Sequence, residues 1–408
     1  MAALNMTTFA YALKELYPKE KIEFLAHKNS QLMMRLKKDT NFTGEQFKQP
    51  VQYGHGAGVS HTFSTAQTNR SEVKGTAFTV TQAAGYSVAS IKNQVVLNSR
   101  GNEGALLSAL QSEMDGAISN LSRQMAVEII RDSSGAIGVC TSITSGVVVL
   151  ATRNDVNNFF VGQKLVTAAS ITASLDSSTA DTVLAIDRAA GTVTVASSPN
   201  GTYSVGQIIF AAGDYVSASD RLAITGLETW ITSSSSPAAL FGVTRTTDVT
   251  RLSGVKLSGA TGRVDELVYE IATRCAEEGG SPNLAIMSYG RFNVLQQELG
   301  SKVQYVRKEF GDAKVGTVGF SSVVVPGPAG DIEVVPERFC KDTEAFVLSL
   351  DSLCFRSAGP APHIDDLDGR SILRESDDAA LQVRVQYFGN LVCSAPGWNG
   401  VIYSMPAL

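Results

Sequence analysis

The side chains best suited to catalysis or metal binding are four histidines and five cysteines, and their spacing argues against both uses. His27, His55, His61 and His363 have no carboxylate or cysteine partner at a recognisable motif interval. His55 and His61 flank glycine-rich chain, where a surface or interface histidine is the expected reading. Cys140, Cys275, Cys340, Cys354 and Cys393 are odd in number and far apart, with no Cys-x-x-Cys pair. A disulfide framework or zinc ribbon needs closer, paired spacing, so five reduced and mostly buried thiols are expected, as in a protein folded in the cytosol.

Glycine-rich loops fare no better. Gly54, Gly56 and Gly58 alternate, but no helix pattern follows to supply the positive dipole end that a dinucleotide fingerprint requires. Gly259-Ala260-Thr261-Gly262 does precede a helical pattern, yet Arg263-Val264 stands where a phosphate loop needs Lys followed by Ser or Thr. No Gly-x-Ser-x-Gly occurs, so the common hydrolase elbow is absent from the chain. In Ile364-Asp365-Asp366-Leu367-Asp368-Gly369, Asp366, Asp368 and Gly369, with Glu375, fit the third, fifth, sixth and twelfth places of a calcium loop. The first ligand position is Ile364, however, and a solvated acidic loop is the plainer reading. A weak divalent site or an intersubunit partner for basic residues stays open. These residues predict no enzyme and no cofactor.

The elements that carry them are clearer than the chemistry. Residues 1–48 are rich in Lys and Arg with loosely helical apolar spacing, and read as a frayed terminus or as an arm that packs on another subunit. Residues 49–99 show period-2 apolar positions at Val59, His61, Phe63, Phe78, Val80 and Val88. That pattern predicts a long two-stranded hairpin with its tip at 69–75 and arms reaching roughly 40 Å. Such a ribbon is too polar to form a core and must lie on something else. Over 103–131, Leu106, Leu110, Met114, Ala117, Leu121, Met125 and Ile129 recur at three and four. They predict a single amphipathic helix capped at Asn102 and stopped by Asp132-Ser133-Ser134-Gly135. The helix divides the hairpin from a segment of different composition, 136–216, dense in Val, Thr, Ser and Gly. There, repeated Val161-Gly162-Gln163 and Val205-Gly206-Gln207 units and a hairpin about Ala189-Ala190-Gly191 predict an all-β barrel or sandwich. Beyond 217 helices and strands mix without strict alternation, so the chain is α+β. The expected elements are helices at 263–278 and from Ser288 to near 300, then strands at 284–287, 303–306, 315–325, 332–335, 345–350, 352–356, 381–388, 390–394 and 400–403.

Bulk composition constrains the partners. With 34 basic and 39 acidic residues the net charge is -5, which provides no global attraction to nucleic acid. No run of about 18 apolar residues occurs, so no membrane span is expected. Hydrophobic residues make up 44% and charged residues only 18% of the 408, where soluble domains carry about 25%. Thin charge over a large apolar content implies surface buried against partners or coated with Ser, Thr and Gly.

Lys38-Asp39-Thr40-Asn41-Phe42, leading into Gln49-Pro50-Val51-Gln52-Tyr53-Gly54, the Ala66-Gln67 that follows, and a long hairpin feeding one helix resemble a tailed-bacteriophage major capsid protein of the Hong-Kong-97-like fold. The resemblance implies an N-terminal arm (1–48), an E-loop hairpin with a flanking P-domain strand (49–99) and a P-domain spine helix (100–135). An inserted β domain (136–216), a P-domain connector (217–262), an A-domain (263–358) and a P-domain return with C-terminal strands (359–408) complete it. It implies a subunit that assembles with itself into hexamers and pentamers, enclosing double-stranded DNA in the virion after assembly in the host cytoplasm. A separate scaffolding protein, a portal and a cement protein are its expected partners. Candidate intersubunit contacts are Arg35, Lys37 and Lys38 in the arm, Phe63, Arg70, Lys74 and Phe78 in the hairpin, and Asp365, Asp366 and Asp368 in the acidic loop. Lys74 lies where some relatives crosslink, but no Asn and Glu partners can be assigned and no bond is expected. Two other readings remain open at this level: an encapsulin-like compartment, and a carbohydrate-binding or adhesive β protein suggested by the Ser/Thr-rich segment. Removing 60–85 is expected to leave a folded subunit unable to form shells.

Overall fold

The structure is a computed structural model describing residues 30–94, 103–196, 199, 201–215, 222–299, 323–365, 372–375 and 378–406, with backbone alone over 103–112. The expected strand at 303–306, residues 315–322 of the one expected at 315–325, and the Asn102 cap lie outside the described residues.

One long helix, Glu103–Ile130, runs for 28 residues, about 42 Å at ~1.5 Å each. It lies against two strands, Ala83–Lys92 and Ala380–Cys393, paired antiparallel over ten residues from Ala380↔Lys92 to Gly389↔Ala83. The 14-residue strand Ala380–Cys393 was expected as two pieces broken at Gly389. It is continuous because this glycine marks a close approach rather than a turn: a Cβ there would sit 2.5 Å from the Arg356 carbonyl oxygen of the neighbouring strand. That neighbour, Leu353–Ser357, occupies the other edge and in turn pairs parallel with Lys37–Asp39. A second close approach shapes the helix-facing side. Tyr387 pairs with Gly85, and its ring covers the space that a side chain at 85 would fill.

A six-stranded sheet stands next to this layer, in the order Val255–Ser258, Gly400–Tyr403, Ala345–Leu348, Leu284–Met287, Gly330–Pro336, Val323–Gly327. It therefore draws in 255–258 and 400–403, from outside the 263–358 boundary expected for this unit. Leu284–Met287 and Ala345–Leu348 are buried at every position because the sheet is covered on both faces. Helices Val264–Glu277 and Tyr289–Leu299 cover one face through Leu267, Val268, Ile271 and Leu295. On the other face Ile286, Phe346 and Leu348 join the main core beneath the long helix.

Residues 136–211 form a separate seven-stranded sheet with its own core, including Cys140, Val148, Phe159, Leu165, Val193 and Ile209. Its two outermost strands, Asp181–Thr182 and Ala185–Asp187, are consecutive pieces of one segment, so the sheet closes into a small barrel. The repeated Val-Gly-Gln units are matching turns. Gly162 and Gly206 both adopt φ +87, and the strands that follow, Lys164–Ala168 and Ile208–Ala211, pair antiparallel.

The hairpin departs most from expectation. Its paired strands are Gln46–Gly54 and Lys74–Thr81, about 30 Å long at ~3.3 Å per residue, and they start three residues before the expected boundary at 49. Between them the chain makes an excursion over 55–73 containing a short helix, Phe63–Thr68. The alternation at Val59, His61 and Phe63 is thus not a strand: among the described residues none pairs with them, and local turns such as Val59 N–H to the Ala57 carbonyl take their place. The base of the hairpin also contributes to the core, against the expectation that neither face would. Val51, Phe78 and Val80 are buried in the main core, with Phe78 edge-on to Trp230 at 5.0 Å. Deleting 60–85 would therefore remove core residues and a whole strand. Phe78→Ala is expected to cost about 3–5 kcal/mol and Phe63→Ala within about 0.5 kcal/mol, measured by urea unfolding of the purified chain.

Candidate functional site

The residues proposed from the sequence separate into three groups once placed. Phe63 is 83% exposed on the excursion, joined there by Val59 and Val73. Arg70 is exposed on the same segment, and Lys74 is exposed at the start of the strand that follows it. The neck of the excursion is held by the Ala57 amide donating to Ser71 Oγ at 2.9 Å. Phe78 belongs to the second group, side chains turned inward. It is completely buried against Trp230, so it is a packing residue and not a surface contact. Arg35 is also committed within its own chain, bonding Glu333 at 2.8 Å and Gln31 Oε1 at 2.6 Å. Lys37 and Lys38 stay exposed on a short strand at the sheet edge. The third group is the acidic segment. Asp366 and Asp368 lie outside the described residues, and the Asp365 amide donates to the Arg384 carbonyl at 2.9 Å. Glu375, the would-be last calcium ligand, accepts from Ser90 Oγ at 3.0 Å, and Asp378 pairs with Lys92 at 3.7 Å. Among the described residues no three acidic, histidine or cysteine side chains gather to hold a metal. All five cysteines are free thiols, four of them buried.

Several contacts aim the hairpin. Its root is fixed by Phe78 and by the Thr79 amide donating to the Phe241 carbonyl at 3.1 Å. On the other strand the Arg356 guanidinium lies 4.0 Å over the Phe47 ring, while Asp39 holds the same arginine at 3.3 Å. Arg251 donates to the Tyr53 carbonyl at 2.9 Å and to Glu278 at 3.0 Å, linking the hairpin to the end of the helix Val264–Glu277. The start of the described chain is anchored equally firmly. Buried Glu337 accepts from Ser30 Oγ at 3.0 Å and from the Leu32 amide at 3.1 Å, across about three hundred residues.

The charged groups that sequence reading missed are those at the C-terminal end of the long helix. Residues 125–131 are buried on all sides, where one buried stripe and one wet face were expected. The reason is crowding: the long sheet, the helix Leu227–Trp230 and the barrel converge on this end. Glu128 consequently points into protein. Its carboxylate accepts from the Ile224 amide at 3.0 Å, Tyr387 Oη at 3.1 Å and Gln124 Nε2 at 2.9 Å. Burial pushes its pKa up, and the three donors oppose that push. Three residues on, Arg131 makes a buried ion pair with Asp155 of the barrel. Glu228 bonds Lys341 at 2.6 Å, and Asn154 Nδ2 donates to the Cys340 carbonyl at 2.9 Å. Burial raises Glu228, while Lys341 and Arg131 pull it back toward the ionised form. The only sequence signal was a charged residue at 128 inside the run Met125-Ala-Val-Glu-Ile-Ile.

These observations describe a scaffold with an outward ribbon and no assembled catalytic or metal constellation among the described residues. Residues 207–369 match the family model described as SU10 major capsid protein. A solved chain of the cyanophage A-1(L) capsid asymmetric unit superposes with a TM-score of 0.56 at 12% identity, covering 96% of this chain and 97% of that one, which shows the fold. A chain from Mycobacterium phage Che8 gives 0.44 at 8% identity, covering 96% of each chain. The holo-SrpI encapsulin of Synechococcus elongatus PCC 7942 gives 0.46 at 8%, covering 100% of this chain and 97% of that one. No curated protein sequence matches the chain. The chain thus has the α+β Hong-Kong-97-like capsid fold. Over residues 207–369, less than half of its length, the chain is similar to that major capsid protein family.

Removing one partner of the buried pair should be severe. Arg131→Ala leaves buried Asp155 without its cation and is expected to destabilise by about 3–5 kcal/mol. Arg131→Met combined with Asp155→Leu should recover most of that loss, and paired thermal melts of the two variants check it.

Proposed function

We propose that the subunit divides its work as the capsid resemblance suggests: the ribbon Gln46–Thr81 as E-loop, the long helix and long sheet as P-domain, the six-stranded sheet with its two helices as A-domain, and the 136–211 barrel as an inserted domain. In this reading the ribbon lies across a neighbouring copy and closes hexamers and pentamers of the shell around double-stranded DNA. The observation that carries it is the ribbon itself. Among the described residues it is a two-stranded sheet paired with no other strand, ending in Val59 at 86% and Phe63 at 83% exposure. A two-stranded ribbon is marginal alone in water, and apolar tips of this kind mark contact surfaces. Lys37 and Lys38, with Arg70 and Lys74, add exposed cations that acidic surface on a neighbour would complement. A net charge of -5 suits a wall that contains the genome without gripping it by a general field. The acidic segment with Asp365, Asp366 and Asp368 remains a candidate partner for those cations. Portal, scaffolding and cement proteins are the further partners that the resemblance suggests, with assembly in the host cytoplasm.

The bond between Ala57 and Ser71 offers a clean test, because the two ends of the tip lie within one hydrogen bond. Replacing 58–70 by two glycines keeps Phe78 and the paired strands. The variant is expected to melt like the parent while yielding no stable shells by electron microscopy. Normal shells from it would remove the ribbon tip from assembly. Lys37→Glu with Lys38→Glu should slow assembly several-fold at low salt, and light scattering with unchanged subunit melting checks it.

A further inference from the structure

The barrel is entered at Gly135 (φ +78), where a Cβ would lie 3.4 Å from the Asp214 carbonyl oxygen. Its last described turn, through Gly213 and Asp214, ends at Tyr215, which stacks on Phe210 and donates to the Ala173 carbonyl at 2.6 Å, so Asp214 moves with the barrel. Backbone in the left-handed region turns freely only at glycine, so the entry crossing has the composition of a pivot. Beside it a cavity of about 290 Å³ separates the long helix from the barrel. Two carboxyl groups meet at its wall: Glu128 from the helix and Asp214 from the barrel's last described turn. They share one donor, because Gln124 Nε2 lies 2.9 Å from Glu128 Oε1 and 3.1 Å from Asp214 Oδ2.

We propose that Glu128, Gln124 and Asp214 form a proton-dependent latch that holds the barrel against the long helix and loosens when the second carboxyl ionises. With one carboxyl protonated, the shared amide and the extra proton bind the two sides of the cavity together. With both ionised, two negative charges crowd one shared amide, and the barrel gains by swinging away about its entry glycine. Burial, and then the charge on Glu128, push Asp214 up to about 7, so the change falls near neutrality.

The other groups facing Asp214 do not cancel this. Arg131 is taken by Asp155, and Arg123 lies 4.6 Å over the Phe160 ring. Asp132 accepts from Ser134, Lys164 is exposed at the cavity rim, and Tyr387 donates to Glu128. Among the described residues Asp214 itself makes no ion pair.

The sign follows from the raised acid. The docked barrel retains a proton that the free one releases, so docking is unaffected below the ordinary aspartate range. It weakens as pH rises toward the docked pKa and is constant above it. Hydrogen exchange of the full-length chain, corrected for the intrinsic rate, reads this at the Ile224 and Ser133 amides, which donate to Glu128 and Thr229. Their protection should fall by about tenfold per pH unit between about 5 and 6.5 and level off near pH 8. Peptides over 284–287 should show no such change. Asp214→Asn keeps an acceptor for Gln124 and should hold the low-pH protection to pH 9. If that variant fails to fold, Asp214→Ser is measured in its place. Protection in the parent that ignores pH, a transition in the Asp214 variant matching the parent, or a parallel loss across 284–287 would each overturn the latch.

Discussion

The end of the long helix has no free side, and much of the architecture depends on that confinement. A helix on a protein surface can send its charges to water, but this one is enclosed from Met125 to Arg131 by sheet, short helix and barrel. Glu128 and Arg131 must then find partners inside, and each partner belongs to a different part of the chain. Tyr387 is on the long strand, Asp155 and Asp214 belong to the barrel, and Ile224 leads into the helix that carries Trp230. Buried charges stabilise little in net terms, yet losing one partner costs several kcal/mol. Such a cluster therefore fixes arrangement more than it adds stability.

The same point connects the inside of the subunit to its outer ribbon. Trp230 packs on Phe78 at the root of the hairpin and donates its indole N–H to the Leu391 carbonyl at 3.0 Å. The helix end, the long strand and the ribbon root thus share one residue's neighbourhood. The direction of the ribbon is thereby set by packed core, while its tip stays exposed. Thin surface charge fits the same design, since apolar and hydroxyl-rich surface is tolerable where copies cover one another.

Much of the element order was legible from spacing alone. The long helix ends one residue from its expected limit, and the helices near 264 and 289 and the strands at 284 and 400 stand where their patterns put them. The Val-Gly-Gln repeat turned out to be two equivalent turns. Errors arose where a local pattern has two physical causes. Alternation at Val59 and Phe63 resembled a strand, but a strand also needs a partner, and the described residues provide none. Gly389 resembled a break, but glycine equally marks a close approach. Phe78 stood among the contact candidates as a residue of the hairpin, and only the position of Trp230 reveals that it is core.

Residue order by itself determined the secondary structure, the absence of recognisable catalytic and metal motifs, and the resemblance to a capsid subunit. These depend on properties repeated along neighbouring residues, such as period, turn chemistry and charge. The tertiary structure decided which charges are buried, which hydrophobic residues remain outside, and how 255–258 and 400–403 come to share a sheet. Those outcomes depend on contacts between residues hundreds of positions apart, such as Ser30 with Glu337 or Glu128 with Tyr387. No local pattern encodes such a pair, because its energy exists only when the remainder of the fold has excluded water from the space between them.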